Sequence, residues 1–231
     1  MKIAFYGDSL TEGIPGVSTL RVLAKQLPEH ELLNYGKGGD TVISLFRRIV
    51  QQPPHEPVDI AFLWIGVNDV FSTITFAHSM LKRLMRQPRV RDHAAFRDLY
   101  DRTLTLLRER AKSVVTVSPL LTGEDLSNPW NHELAELCEI VSSASTGFGN
   151  VHHLDLRARF SEALAGKTVS DYVAKSLRHI VRDAMALRTP DQVDAASSDR
   201  GLHLTLDGVH LNSAGAELAA DAFLKAIKDL S

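Results

Sequence analysis

A serine set just beyond a short apolar run, and an Asp-x-x-His pair near the other end of the chain, are the residues with the clearest chemical potential. Ser9 stands in Gly7-Asp8-Ser9-Leu10, a glycine-flanked turn after the apolar run Lys2–Tyr6. A serine hydroxyl is a poor nucleophile at neutral pH and needs an adjacent base. His210 lies three residues after Asp207, and on a helical turn residues so spaced share a face. The Asp207 carboxylate can then hold one imidazole nitrogen and leave the other to take a proton from Ser9. Taken singly, each has a plainer reading: Ser9 as a turn cap, Asp207 as a helix N-terminal acid beside an incidental histidine.

Acyl transfer also needs preorganised donors for the oxyanion of its tetrahedral intermediate. Gly39, within Asn34-Tyr35-Gly36-Lys37-Gly38-Gly39-Asp40-Thr41, can offer a backbone N–H at close approach because it has no Cβ. Asn68, in Gly66-Val67-Asn68-Asp69, can offer its side-chain amide, and the peptide N–H of Ser9 is a natural third donor. Glycine-rich turns are mostly structural, however, and Asn68-Asp69 can equally cap a following helix. Gly36 and Gly38 stand close enough to leave the glycine register open. Asp8 and Asp69 read as structural acids that accept backbone hydrogen bonds in their loops. Thr205 and Asn212 read as supports for the last block.

These four blocks, in this order and spanning Gly7 to His210, resemble those of the SGNH (GDSL-type) hydrolases. The resemblance implies a serine esterase working through an acyl-enzyme, with no cofactor and no metal, on a flavodoxin-like SGNH fold. It gives Ser9 the role of nucleophile, Asp207 and His210 that of the activating pair, and Gly39 and Asn68, with the Ser9 amide, that of the oxyanion site. Gly39 is preferred among the glycines because it precedes Asp40-Thr41, as in the family's second block. An α/β-hydrolase is disfavoured: its order of residues differs, and Thr11 stands where a G-x-S-x-G elbow requires glycine. Acyl transfer or thioester cleavage on the same residues, a metal-dependent hydrolase and a non-catalytic carbohydrate- or lipid-binding module are the alternatives.

The elements that must carry these blocks alternate. Strands are expected at Lys2–Tyr6, Glu31–Tyr35, Val58–Ile65, Ser113–Val117 and Val151–Asp155, the third being nearly continuous apolar as in a strand buried on both faces. Helices are expected from Ser18 to Leu27, then at Thr41–Val50, Phe96–Lys112, Pro129–Ser143, Tyr172–Leu187 and Ser213–Leu230, while the polar stretch Thr189–Gly201 reads as a surface loop. The alternation predicts a three-layer αβα sandwich with a five-stranded, mainly parallel sheet, its site chemistry gathered at one strand edge. The 231 residues fit a single domain, 1–231.

Composition excludes little but directs much. Hydrophobic residues make up 44%, charged residues 23%, and the formal net charge is -2, so nothing demands a nucleic-acid or membrane partner. A small-molecule ester is the expected partner. No apolar run approaches the ~18 residues of a membrane span, and Met1-Lys2 leads straight into Ile3–Tyr6, so a cytoplasmic location is the default expectation. The one cysteine, Cys138, reads as a buried helix residue.

Other clusters compete less well. His152-His153 with Asp155 would be split between opposite faces of a strand. His203, Asp207 and His210 have ligand chemistry suited to zinc or manganese, but that leaves Ser9, Gly39 and Asn68 without a task. Lys37 lies among glycines, yet no phosphate-loop pattern surrounds it. Phe71–Met85 is an apolar stretch that can serve as core helix, acyl pocket or lid. The basic residues Lys82, Arg83, Arg86, Arg89, Arg91, Arg97 and Arg102 read as a solvated face or as a lure for an anionic substrate.

Overall fold

The structure is a computed structural model that describes residues 1–52, 56–71, 88–174 and 177–231. In chain order its elements are β1 (Lys2–Gly7), α1 (Ser9–Glu12), α2 (Thr19–Gln26), β2 (Glu31–Gly36), α3 (Val42–Gln51), β3 (Val58–Trp64), α4 (Val67–Phe71), α5 (His93–Arg108), β4 (Ala111–Val117), α6 (Pro129–Ala144), β5 (Val151–Leu154), α7 (Leu156–Leu164), α8 (Leu177–Ala186), α9 (Pro190–Asp199) and α10 (Ser213–Asp229).

The five strands are all parallel, in the order β2-β1-β3-β4-β5. Parallel strands need crossover helices, which cover both faces and make the inner strands apolar throughout. Phe5 of β1 stacks on Phe62 of β3 with ring centroids 4.7 Å apart, and Phe223 of α10 leans on both. Helix α10 packs with α2 and α7, while α3, α5 and α6 form the other layer. Helix α3 shows how the sequence sets this. Thr41 and Ser44 form a capping box, and Val42, Leu45 and Ile49, at helical spacing, are buried.

In this strand order the chain reverses direction across the sheet between β1 and β3, and a crevice opens beyond the strand ends at such a point. Gly7, the last residue of β1, pairs with Gly36 of β2 and with Trp64 of β3. The loops carrying Ser9, Gly39 and Asn68 therefore leave one edge side by side.

Several elements differ from expectation. Thr189–Gly201 is no loop: it contains α9, started by a capping box between Thr189 and Gln192 with Pro190 in its first turn. Proline and threonine there open a helix rather than punctuate a loop. Helix α8 begins at Leu177, since Tyr172–Ala174 runs as irregular chain whose Ala174 N–H bonds the Asp207 carbonyl. Helix α5 stops at Arg108 because β4 already starts at Ala111. Helix α7 was not anticipated, and its N-cap is Asp155, which accepts from the Ala158 N–H. Cys138 lies on α6 as expected and is half-buried.

Candidate active site

Ser9 opens α1. Asp8 caps that short helix by accepting the Leu10 N–H at 3.0 Å, which sets Ser9 in its first turn directly above β1. Helix α1 can fold back this tightly because residue 7 is glycine. A Cβ there would overlap the Thr11 hydroxyl and the Trp64 carbonyl.

At the opposite side of the crevice His210 places Nε2 2.9 Å from Ser9 Oγ and Nδ1 2.7 Å from Asp207 Oδ2. An ionised carboxylate only accepts, so the Nδ1 proton faces Asp207 and the Nε2 lone pair faces the serine hydroxyl. All three side chains are buried. Burial pushes the Asp207 carboxyl upward, but the His210 ring, their hydrogen bond and the peptide N–H groups of His210 and Val209 outweigh it and hold it below its ordinary value.

The expected helical turn between Asp207 and His210 is absent. The segment is a bend in which Asp207 Oδ1 accepts the N–H of Val209 at 3.0 Å and of His210 at 2.8 Å. A side chain that bonds its own backbone two and three residues on makes the turn that a helix would otherwise supply. Gly208 sits at φ +90°, a conformation open to glycine, and a Cβ there would press on the Tyr172 carbonyl and the Gly123 nitrogen.

The loops of Gly39 and Asn68 are cross-braced. Glu12 of α1 accepts the Gly38 N–H at 2.6 Å, and Gly36 donates to Asn34 Oδ1 at 2.9 Å. Both bonds occupy those two N–H groups, and Gly39 follows them at φ +78°. Arg48 clasps Asp40 Oδ2 through Nε and Nη2, and Nη2 also reaches the Gly7 carbonyl at 3.3 Å. Asp69 Oδ2 accepts the Val42 N–H at 3.0 Å and so ties the Asn68 turn to the start of α3. Asn68 itself is a buried residue inside α4.

Thus Ser9, Asp207 and His210 meet in one hydrogen-bonded line, and the loops of Gly39 and Asn68 are fastened to each other and to the end of β1. Thr205 and Asn212 do support the last block: Asn212 caps α10 and bonds Ser197 Oγ and the His203 carbonyl. The metal grouping of His203 with this pair is not formed. His203 Nε2 faces the Thr168 carbonyl, and both ring nitrogens of His210 are engaged. His153 Nδ1 sits at Thr116 Oγ1, within the sheet layer. The stretch Phe71–Met85, read as core helix, acyl pocket or lid, lies, beyond Phe71, outside the described residues, as do Lys82, Arg83 and Arg86. Arg91 and Arg102 pair with Asp92 and Asp98, as residues of a solvated face do. Glu12, Arg48, Glu124 and Arg200 were not singled out from the sequence, although each holds part of this site.

Compared with known proteins, residues 5–218 match the GDSL-like lipase/acylhydrolase family. No curated protein matches the chain. Among solved structures, a catalytic mutant of Axe2, an acetylxylan esterase from Geobacillus stearothermophilus, is similar at TM-score 0.66 and 18% identity, over 98% of this chain and 93% of that one. The acetyl xylan esterase AlAXEase is similar at TM-score 0.64 and 21% identity, over 98% of this chain and all (100%) of that one. LAE5, an alpha/beta hydrolase enzyme from the metagenome of Lake Arreo, Spain, is similar at TM-score 0.65 and 20% identity, over 100% and 96%. At these identities the likeness concerns the fold.

Proposed function

Because the chain belongs to the GDSL-like lipase/acylhydrolase family and is an ester-bond hydrolase, we propose that Ser9 is its nucleophile, His210 its general base and acid, and Asp207 the group that orients His210. Gly39, Asn68 and the Ser9 N–H form the oxyanion site, and residues 1–231 act as one hydrolase domain. The observation that carries this reading is the continuous line Asp207–His210–Ser9, with contacts of 2.7 and 2.9 Å between groups from opposite ends of the chain.

In the first half-reaction Ser9 Oγ attacks the ester carbonyl carbon while His210 Nε2 takes the hydroxyl proton. The carbonyl π-electrons move to oxygen, where the oxyanion donors meet the charge. Collapse breaks the bond to the alcohol oxygen, and His210 returns the proton to that leaving group. Water then repeats the sequence on the acyl-serine, releasing the acid and restoring Ser9.

For substrate, we propose a short acyl group, acetyl, carried on a carbohydrate hydroxyl. Support comes from the likeness to two acetylxylan esterases along nearly the whole chain. The test is a series of activated esters from acetyl to dodecanoyl, run in EDTA alongside acetylated xylo-oligosaccharides, with fluorophosphonate labelling and the Ser9→Ala variant. The expected result is a maximum at acetyl, release of acetate from the oligosaccharide, label on Ser9 only, and loss of activity in the variant by at least about 10⁴-fold. A long-chain maximum refutes the substrate assignment. Label on another serine, or loss in EDTA restored by zinc, refutes the mechanism.

A further inference from the structure

Glu124 is a wholly buried carboxylate, 0% exposed, in the loop between β4 and α6. Its Oε1 accepts the N–H groups of Leu204 and Thr205, both at 2.8 Å, and the Thr205 hydroxyl at 2.9 Å; its Oε2 accepts the His203 N–H at 2.8 Å. Those four donors belong to three consecutive residues that end two positions before Asp207. The segment has almost no ladder of its own, only an isolated bridge between Thr205 and Leu211. Glu124 therefore does for these peptide groups what a neighbouring strand would do, and charged acceptors make stronger bonds than carbonyls.

The same loop holds the other flank of Asp207. The Gly123 N–H donates to the Gly208 carbonyl at 2.6 Å. Adjacent residues thus grip the chain on both sides of the orienting acid. The loop is itself fixed. Asn131 Nδ2 bonds the carbonyls of Thr122, Gly123 and Asp125, and Arg157 bonds that of Leu120 at 2.8 Å.

We infer that Glu124 is a positioning residue for catalysis: it sets the height of the Asp207–His210 bend so that His210 Nε2 meets Ser9 Oγ. The inference rests on the relay proposed above. Small displacements of a reacting pair are costly: a shift of about 1 Å caused by a change away from the chemistry can cost about 10²-fold.

The experiment compares Glu124→Gln and Glu124→Ala with wild type, using 4-nitrophenyl acetate kinetics, thermal melting and proton NMR. The NMR signal is the far-downfield Nδ1–H of the short Asp207–His210 hydrogen bond. In folded variants kcat is expected to fall by about 10- to 100-fold with KM little changed, less for Gln than for Ala, and the downfield resonance to shift or vanish. Should one variant not fold, Thr205→Val, which removes one donor at nearly constant volume, takes its place with the same readouts. Wild-type kcat and an unmoved resonance in a folded variant, even with a lowered Tm, overturn the inference and leave Glu124 as loop glue. Ser9→Ala in parallel separates the two claims. If that variant keeps its activity, the relay itself is wrong, whereas an inactive Ser9→Ala beside normal Glu124 variants sinks only the positioning role.

Discussion

The two walls of the crevice are built by different means. The wall of Ser9, Gly39 and Asn68 comes entirely from the first 71 residues and rises directly from strand ends locked in register at Gly7, Gly36 and Trp64. The wall of Asp207 and His210 comes from a bend that continues no strand of the sheet. Besides a few backbone bonds, from Gly123 to the Gly208 carbonyl and from Ala174 to the Asp207 carbonyl, it hangs from side chains: Glu124 on His203–Thr205, Asn212 on Ser197 and His203, and Arg200 on the Leu206 carbonyl at 2.8 Å. A sheet edge places groups through many weak, redundant backbone bonds, so one lost side chain shifts it little. A bend held by a few backbone bonds and single buried side chains has less redundancy. Substitutions at the first wall should therefore alter rate without stability, and those at the second should alter both.

The strongest challenge to this contrast is Arg200→Ala. Arg200 Nη2 pairs with the buried Asp183 Oδ2 at 2.8 Å while Nη1 holds the residue just before Asp207. Its removal strands a carboxylate whose other cation among the described residues, Arg182, is exposed and 3.6 Å away. Breaking a buried pair from one side costs about 3–5 kcal/mol. In a chain of this size that is a Tm lower by roughly 6–20 °C, and kcat should fall too. The double variant Asp183→Asn with Arg200→Ala should recover part of the Tm but not the rate. A normal Tm for Arg200→Ala would mean that the second wall is as redundant as the first.

The same contrast explains what was legible in the sequence. The β1, β2 and β3 runs, their glycine turns and the residues on them follow from apolar continuity and chain order, so Ser9, Gly39 and Asn68 could be named together with the sheet that lifts them. Asp207 and His210 could be named as a pair, but their support could not. Glu124 bonds residues 79 to 81 positions away, a relation no local pattern encodes. The bend replaced an expected helical turn because Asp207 satisfies two backbone N–H groups itself. Helix α9 reads as loop because Thr-Pro and paired serines count as punctuation, although Thr189 and Gln192 at capping-box spacing carry the opposite signal.

At the first wall, Asn68→Ala should lower kcat by about 10²–10³-fold, near 2.7–4 kcal/mol in the transition state, with KM almost unmoved. The donor acts on charge that exists only as the carbonyl becomes tetrahedral. Melting should change little, since Asp69 ties this turn to α3 through the Val42 N–H. Steady-state kinetics and a thermal melt on one preparation decide it. A lowered Tm with normal kcat would make Asn68 a structural residue and erase the difference between the walls.

The smallest effect belongs to Thr189→Ala, and it shows how far the fragility of the second wall extends. Thr189 Oγ1 accepts the Gln192 N–H while Gln192 returns a bond to the Thr189 N–H, so the alanine loses one half of a capping box. Such a change costs about 1 kcal/mol. Helix α9 also feeds the active site, but from its far end, where Ser197 Oγ meets the Thr205 carbonyl at 2.7 Å and Arg200 follows. Fraying the first turn leaves the last turn packed through the buried Ser197. The expected outcome is a Tm lower by roughly 2–4 °C with kcat and KM for 4-nitrophenyl acetate unchanged. A drop in kcat beyond about twofold, measured well below the melting range, would mean that α9 transmits its N-terminal state to Asp207. The second wall would then have to be redrawn to include the whole helix rather than its final turn.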